Sequence, residues 1–563
     1  MKKDNIRYII FHYNLIPLAI FGGILYLTKL FVFYEICTSQ RIFSADPRYQ
    51  KIYLVLSLIC FFTWIYICFT TIRSQHYKSL TGRNYNKDHH EFNKPYSALV
   101  RFFTTNDPYK MDISKLEKTD WHDADGVILC KAKDDKNNYH LVKRDSDAPG
   151  NLVAFGLPGS GKTTTTAVAS ALRFNANRKD GGCGVFAISI KGDLLNFVGG
   201  KRTNNKVFTP DKAEGSCHYD PLAGIQEMSP QDQRVFAENL AMIICPDEAG
   251  ENAAFFVQGA RAYLAGIVLY LLYLHDEGMR LGKLKFSDIT DMILHNDVIS
   301  ITEEIAGSPC KVANEYTKGF MNSNEKNVAG IWSHLSQQIR PFNNGALRIL
   351  FDGEGDCITP EFLNEGDIYI DVPQDKYDVY APAMALIVSN FLQAFMQRPD
   401  VSSGNDISPI LFLLDEAVQL NLNFGLLSKA MSTLRSKKVS LYLLMQSVAQ
   451  LEGRYGESHA REIMDLCAYV SVFNAQDPKS REYFQKLVGR RKMLKRSTSL
   501  SSSGGNKNNT SGVSISEVDE FIFEAADFGD LNTIDPKTKS TIHRVLVYAN
   551  GKYVLGETTP CYE

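Results

Sequence analysis

At 563 residues the chain is too long for one hydrophobic core and implies two or three domains with appendages. Its 44% hydrophobic and 22% charged residues are ordinary for a globular protein. A formal net charge of −2 excludes a bulk polyanion binder, so any nucleic-acid contact must rest on local positive charge, such as the lining of a channel. The 11 cysteines run from Cys37 to Cys561 without a CxxC pair. That pattern reads as reduced cytosolic thiols and excludes a disulfide framework or a zinc site.

The first apolar run is Tyr8–Tyr34. His12, Asn14 and Lys29 interrupt it, but its middle, "LIPLAIFGGILYLT", is apolar, and Lys29 can snorkel toward an interface. Lys2 and Lys3 ahead of it would also suit a cleaved signal peptide. The second run, Ile52–Ile72, has no charged residue and is long enough to cross a bilayer. Residues 1–72 are therefore read as a membrane anchor with two transmembrane helices, about 8–34 and 52–72. A nucleotide site further on needs cytosolic ATP. This places the chain after Ile72 in the cytosol, the amino terminus inside and Glu35–Lys51 outside. Arg73, Lys78, Arg83 and Lys87 agree with the positive-inside rule, whereas Arg41, Arg48 and Lys51 do not.

A polar connector, 73–99, follows. "GVILCKAKDDKNNYHLVKR" reads as two short strands around a turn, and "NLVAFGL" as a buried strand running into a glycine loop and a helix. Further apolar, β-branched runs are "GVFAISI", "GDIYIDV", "PILFLLDE", "VSLYLLMQ" and "AYVSVFN". Helical patterns separate most of them, which indicates an α/β fold with a mostly parallel sheet covered on both faces. The stretch 223–347 carries helical rather than strand patterns and is too long for a loop, so it is read as an inserted all-helical domain. Within it, Ala262–His275 is apolar but short, the length of a core helix rather than a span. The α/β domain then comprises 100–222 and 348–563. "STSLSSSGGNKNNTSG", 497–512, is low-complexity and read as a mobile loop.

"FGLPGSGKTTTT" fits the phosphate-binding pattern G-x-x-x-x-G-K-[ST]. Residues Gly156, Leu157, Pro158, Gly159, Ser160, Gly161, Lys162, Thr163 and Thr164 would bind the phosphates of ATP. Backbone N–H groups and the start of the helix surround the phosphate oxygens. Lys162 reaches the β and γ phosphates, and Thr163 offers its hydroxyl to Mg²⁺. In "ILFLLDEA", Asp415 and Glu416 end an apolar strand, where ligands gather in such sheets. Asp415 would hold the Mg²⁺ water shell and Glu416 would polarise the attacking water. Gln446 ends another apolar strand and would touch both γ-phosphate and water, reporting hydrolysis to the rest of the domain. The loop alone suits kinases, GTPases, motors and transporters, but the Asp-Glu pair points to an ATP-driven motor.

The segments "GLPGSGKTTTT", "SIKGDLLNF", "YDPLAGI", "LFLLDEA" and "MQSVAQLEGRYG" stand in the order found in the type IV secretion system coupling proteins, the TraG/TraD-type conjugative DNA-transfer ATPases, and the chain resembles them over essentially its whole length. The resemblance implies a RecA-like P-loop motor domain, an all-helical cytosolic domain and a homohexamer around a central channel. It implies an inner-membrane ATPase that brings DNA with its attached relaxase, or effector proteins, to a type IV secretion channel. It also points to Arg435, in "STLRSKKVSLYLLMQ", as the arginine given to a neighbouring subunit's γ-phosphate, with Arg202 as a second candidate. There are departures. Ser189 stands where the family often has an aspartate, two residues before Lys191, and Asp220 stands where asparagine is common. The basic run "GRRKMLKR", 489–496, is read as facing a channel or an anionic partner, or else as a solvated face.

Two other readings remain open. One is a membrane docking receptor that selects cargo, with hydrolysis used only for assembly. The other is a chromosome-segregation translocase, which usually carries more spans and a winged-helix end.

Overall fold

The computed structural model of the chain describes residues 109–558 apart from 117, 119–120, 135–137, 178–181, 191, 203, 249–250, 322, 402–406, 502–509, 530 and 535–540. Both expected spans, 8–34 and 52–72, and the connector 73–99 lie outside the described residues.

The strands are β1 (Val127–Lys133), β2 (Tyr139–Arg144), β3 (Asn151–Gly156), β4 (Val185–Ile190), β5 (Asn205–Phe208), β6 (Asp367–Val372), β7 (Ile410–Leu414), β8 (Val439–Met445), β9 (Cys467–Asn474), β10 (Arg490–Ser501), β11 (Thr510–Phe521), β12 (Thr533–Ile534), β13 (Thr541–Ala549) and β14 (Lys552–Thr558). The chain divides into two compact units, Met1–Asp107 with Lys492–Asp519, and Pro108–Arg491 with Glu520–Glu563. In the first unit the described residues belong to a two-stranded ribbon of β10 and β11. This corrects the reading of 497–512 as a loop: 497–501 and 510–512 lie in paired strands. Ribbon pairing satisfies backbone groups whatever the side chains are, so a serine-rich composition does not forbid it.

In the second unit one sheet runs in the order β2-β1-β14-β13-β9-β3-β8-β7-β4-β6-β5, with β12 paired to β13. The strands from β9 to β5 are parallel. β13, β14, β1 and β2 continue the sheet antiparallel. Every residue of β3, β4, β7 and β8 is buried, which explains their near-continuous apolar runs, broken only by Asn151, Ser189 and Ser440. Val153 and Phe155 face one core, and Leu152 and Ala154 face the other. β13 and β14 are joined by a two-residue turn, Asn550–Gly551, with φ of 51° and 74°. Both lie in the left-handed region that a type I′ hairpin turn demands.

The helices are α1 (Val168–Arg173), α2 (Asp193–Val198), α3 (Pro230–Ile244), α4 (Glu251–Asp276), α5 (Phe286–His295), α6 (Val298–Gly307), α7 (Lys311–Met321), α8 (Glu325–Ile339), α9 (Gly345–Phe351), α10 (Tyr377–Met396), α11 (Phe424–Thr433), α12 (Val448–Tyr455), α13 (Glu457–Asp465) and α14 (Pro478–Val488). Those from α3 to α9 form one uninterrupted helical run between β5 and β6. Ser229 caps α3 by accepting from the Asp232 N–H, with Pro230 in the first turn, where its missing N–H is harmless. Among the described residues two helices are long and apolar enough to cross a membrane, Ala253–Asp276 and Gln374–Met396. Each has 67% of its apolar window buried inside the protein. Tyr263, Leu264, Ile267, Val268 and Leu271 form the buried face of α4, which makes Ala262–His275 part of a core helix.

Candidate functional site

The carboxyl ends of the parallel strands gather the chemistry. β3 ends at Gly156 and opens a loop that closes at Lys162, where a wide first turn, Lys162–Ala167, leads into α1. Gly161 has a φ of 95°, a conformation only glycine takes without strain. At Gly156 a side chain is excluded for another reason: a methyl carbon there would stand 2.5 Å from Ser160 Oγ and 3.3 Å from Lys162 Cγ. The loop is therefore shaped by its glycines before any ligand arrives.

Lys162 is only 5% exposed. Its ammonium donates to the carbonyl of Gly156, with the carbonyl of Leu157 at 3.5 Å. Burial lowers its pKa, and the charges of Glu416 and Asp415 oppose that effect. The later threonines serve the helix. Thr165 Oγ1 donates to Gly161 O at 2.6 Å, Thr166 Oγ1 to Lys162 O at 2.9 Å, and Tyr442 of β8 donates to Thr166 Oγ1 at 3.1 Å.

Asp415 follows the last residue of β7. Thr163 Oγ1 donates to Asp415 Oδ2 at 3.2 Å, joining residues 252 positions apart in sequence. A hydroxyl and a carboxylate so placed are hard oxygen donors that suit Mg²⁺, which takes few protein ligands and keeps waters and phosphate oxygens for the rest. No cluster of three or more His, Cys, Asp or Glu suited to a metal occurs among the described residues. Asp415 is 7% exposed, and its pKa is pushed up to about 6, chiefly by burial and then by the neighbouring Glu416 charge. Glu416 sits in left-handed backbone, φ 48° and ψ 44°, costly for a residue with a side chain. That turn aims it at β8: Gln446 Nε2 donates to Glu416 Oε1 at 3.0 Å.

The structure thus brings Lys162, Thr163, Asp415, Glu416 and Gln446 together. It does not bring Arg435 to them. Arg435 is exposed at the amino-terminal end of β8, a full strand of about 20 Å away from Gln446. Arg202 is corrected as a candidate: it is buried and its guanidinium is fully engaged. Nε and Nη2 pair with Asp367, while Nη1 donates to Ala171 O at 2.9 Å and Phe174 O at 2.8 Å. Lys191 lies outside the described residues. Ser189 is fully buried, its hydroxyl has no protein partner, and it stands in register with Asp371 of β6. Asp220 accepts from the Leu222 N–H at 2.9 Å and pairs with Lys283, so it fastens a turn to the helical run. In the basic segment, Arg490 lies 4.0 Å from the centre of the Phe521 ring.

Two further neighbours were missed in the sequence. Gln450 Nε2 donates to Gln446 Oε1 at 3.1 Å, one helical turn on, and the "QSVAQ" spacing carries that signal. Tyr377, at the start of α10, is 4% exposed and its hydroxyl has no protein partner. Burial and the two carboxylates push its pKa up. Nothing in its sequence context marks it. Asn423, which caps α11, donates to Asp247 Oδ2 at 3.1 Å, linking the segment after Glu416 to the turn between α3 and α4.

The family model for type IV secretory system conjugative DNA transfer matches residues 109–524. Protein VirD4 of Rhizobium rhizogenes is 24% identical over 337 residues, covering 56% of this chain and 47% of VirD4. The chain therefore spans about half the length of that curated relative. Among solved structures, the bacterial conjugative coupling protein TrwBdeltaN70 in its unbound form is similar in fold, with a TM-score of 0.59 at 16% identity over 78% of this chain and 88% of that one. TrwB bound to ADP and Mg²⁺ matches with a TM-score of 0.56 at 16% identity, over 75% and 87% of the two chains. TrwB bound to the ATP analogue ADPNP matches at 0.55 and 14% identity, over 74% and 86%.

Proposed function

The chain belongs to the type IV secretory system conjugative DNA transfer family, and from that premise we propose that it is a membrane-anchored ATPase that drives DNA, protein effectors, or DNA with an attached relaxase into a type IV secretion channel. One observation carries the reading. Two hydrogen bonds, Thr163 to Asp415 and Gln446 to Glu416, tie the glycine loop and two strand ends together, which supports a single cleft for binding and hydrolysis. The nucleotides bound to TrwB support ATP and Mg²⁺ as its ligands.

In this reading the loop N–H groups of 156–164 hold the phosphates, and Thr163 with Asp415 would hold Mg²⁺, which neutralises phosphate charge. Glu416 accepts a proton from water as the water oxygen bonds to the γ-phosphorus and the bond to the β–γ bridging oxygen breaks. Gln446 fixes the Glu416 carboxylate and senses the change. Lys162 neutralises charge on the departing phosphoryl group. Arg435, too far from its own site, supplies a guanidinium to a neighbouring copy, which requires a ring-shaped oligomer such as a homohexamer. The apolar runs 8–34 and 52–72 support an anchor in the bacterial inner membrane with the ATPase in the cytosol.

The test is a transfer assay with Lys162→Ala, scoring DNA mobilisation and protein export separately. Loss of at least one is expected. Retention of both at wild-type frequency would sink the proposal.

A further inference from the structure

Glu416 stands in left-handed backbone, φ 48°, and the short turn after it, Ala417–Leu420, ends at a second left-handed residue, Asn421, φ 55°. Side-chain-bearing residues persist in that conformation only where their surroundings over-determine it. Helix α12 supplies such surroundings from two sides.

The carboxyl end of α12 holds the turn. Tyr455, its last residue, donates its hydroxyl to the carbonyl of Leu422 at 3.1 Å, just past Asn421. The amino-terminal half of α12 holds the side chain. An ionised carboxylate only accepts hydrogen bonds, so the Gln446 atom 3.0 Å from Glu416 Oε1 must be its Nε2. That turns Gln446 Oε1 toward α12, where Gln450 Nε2 donates to it at 3.1 Å. A donor at position 450 therefore sets the Gln446 amide as much as Glu416 does.

The helix can act as a support because it is itself seated. Val448 and Leu451 are buried, and Ser447 caps the first turn by accepting from the Gln450 N–H at 3.1 Å. The Val448 N–H donates to Ser480 Oγ of α14 at 2.9 Å. The bonds close a circuit that runs from Glu416 through its turn to Leu422, across Tyr455 and α12 to Gln450, and back through Gln446. We propose that Gln450 and Tyr455 are positioning residues for Glu416. Gln450 fixes which end of the Gln446 amide the carboxylate meets, and Tyr455 fixes the turn that aims the carboxylate. This rests on the reading of Glu416 as the proton acceptor in ATP hydrolysis.

The test uses the full-length chain in detergent with Mg²⁺, by steady-state hydrolysis and by calorimetry with ATP. Gln450→Glu sets a carboxylate against Gln446 Oε1, so the amide flips and its oxygen then faces Glu416. The expected result is a fall in kcat of about tenfold, as for Gln446→Ala, with ATP affinity within about threefold of wild type. Adding Gln450→Glu to Gln446→Ala should cost less than about twofold more, because the bond is already lost. Gln450→Lys keeps a donor and should stay within about threefold of wild type. Position 450 is exposed, so these changes leave the fold intact. Tyr455→Phe deletes one hydroxyl and should lower kcat about threefold to fivefold with ATP affinity within about twofold. In the nucleotide-free chain it should also speed amide exchange about threefold across 417–423 while β7 and β8 keep their rates. A wild-type kcat in Gln450→Glu, a full additive loss with Gln446→Ala, or an equal loss in Gln450→Lys overturns the role of Gln450. Unchanged kcat or unchanged exchange across 417–423 in Tyr455→Phe overturns that of Tyr455. A wild-type chain that does not hydrolyse ATP, or a Glu416→Gln chain that still does, overturns the reading of Glu416 and this one with it.

Discussion

Replacing Arg202 by alanine should damage the fold and not the chemistry directly. Asp367, at the start of β6, is fully buried, and burial pushes its pKa up while Arg202 only partly pulls it back. Besides Arg202 it holds the Val185 N–H at 2.8 Å and the Tyr369 hydroxyl at 3.4 Å. Removing the guanidinium leaves that carboxylate without its counter-charge. It also strips the carbonyls of Ala171 and Phe174, at the end of the helix behind the phosphate loop, of their donor. Breaking a buried pair from one side costs about 3–5 kcal/mol. At about 2.1 cal/mol/K of unfolding entropy per residue, the thermal midpoint of the unit Pro108–Arg491 with Glu520–Glu563 falls by roughly 3–6 °C. The measurement is a thermal scan of Arg202→Ala beside Arg435→Ala, with ATP hydrolysis measured well below both midpoints. Arg435 is exposed, so its loss should move the midpoint by about 1 °C or less while abolishing hydrolysis. An Arg202→Ala protein as stable as wild type, yet unable to hydrolyse ATP, would refute the structural assignment and return Arg202 to the list of trans arginines.

Asp415→Asn should stabilise the nucleotide-free, Mg²⁺-free protein in a pH-dependent way. A carboxyl raised from 3.8 to about 6 stays protonated in the folded state while it ionises in the unfolded one, so ionisation favours unfolding. The penalty is nil below 3.8, grows across that interval and is constant above it at about 3 kcal/mol. Denaturant titrations at pH 4 and pH 8 check this: the gain appears only at the higher pH, and a variant less stable than wild type at pH 8 contradicts it. Gln446→Ala removes the 3.0 Å bond to Glu416 and should lower kcat at least about tenfold while ATP affinity stays within about threefold. Steady-state kinetics with calorimetry decide it, and a KM effect with normal kcat would assign Gln446 to binding alone.

How much of this was legible in the sequence follows from how local each feature is. The phosphate loop is contiguous, so its chemistry shows in twelve letters. Asp415 and Gln446 were readable because each follows a fully buried apolar strand, which fixes where the next side chain stands. Arg202 was misread because its four bonds go to residues 28 to 165 positions away, invisible in a motif. The ribbon at 490–521 was masked by its serines. The β13–β14 hairpin turns on Asn550–Gly551 between apolar runs, a pattern that does not say which sheet edge the hairpin joins. Tyr377 depends on a helix packing near the carboxylates, so it could not be found by spacing alone.

Glu416 holds two demands in conflict. Its backbone conformation belongs to glycine, and an ordinary residue gives up about 1–2 kcal/mol to adopt it. Glycine here would relieve the frustration and make the free protein more robust, but it would delete the carboxylate that faces Gln446. In the proposed mechanism, activity and durability therefore pull this one position in opposite directions, a local trade-off in which the chain keeps a poorer fold for the sake of where a carboxylate points.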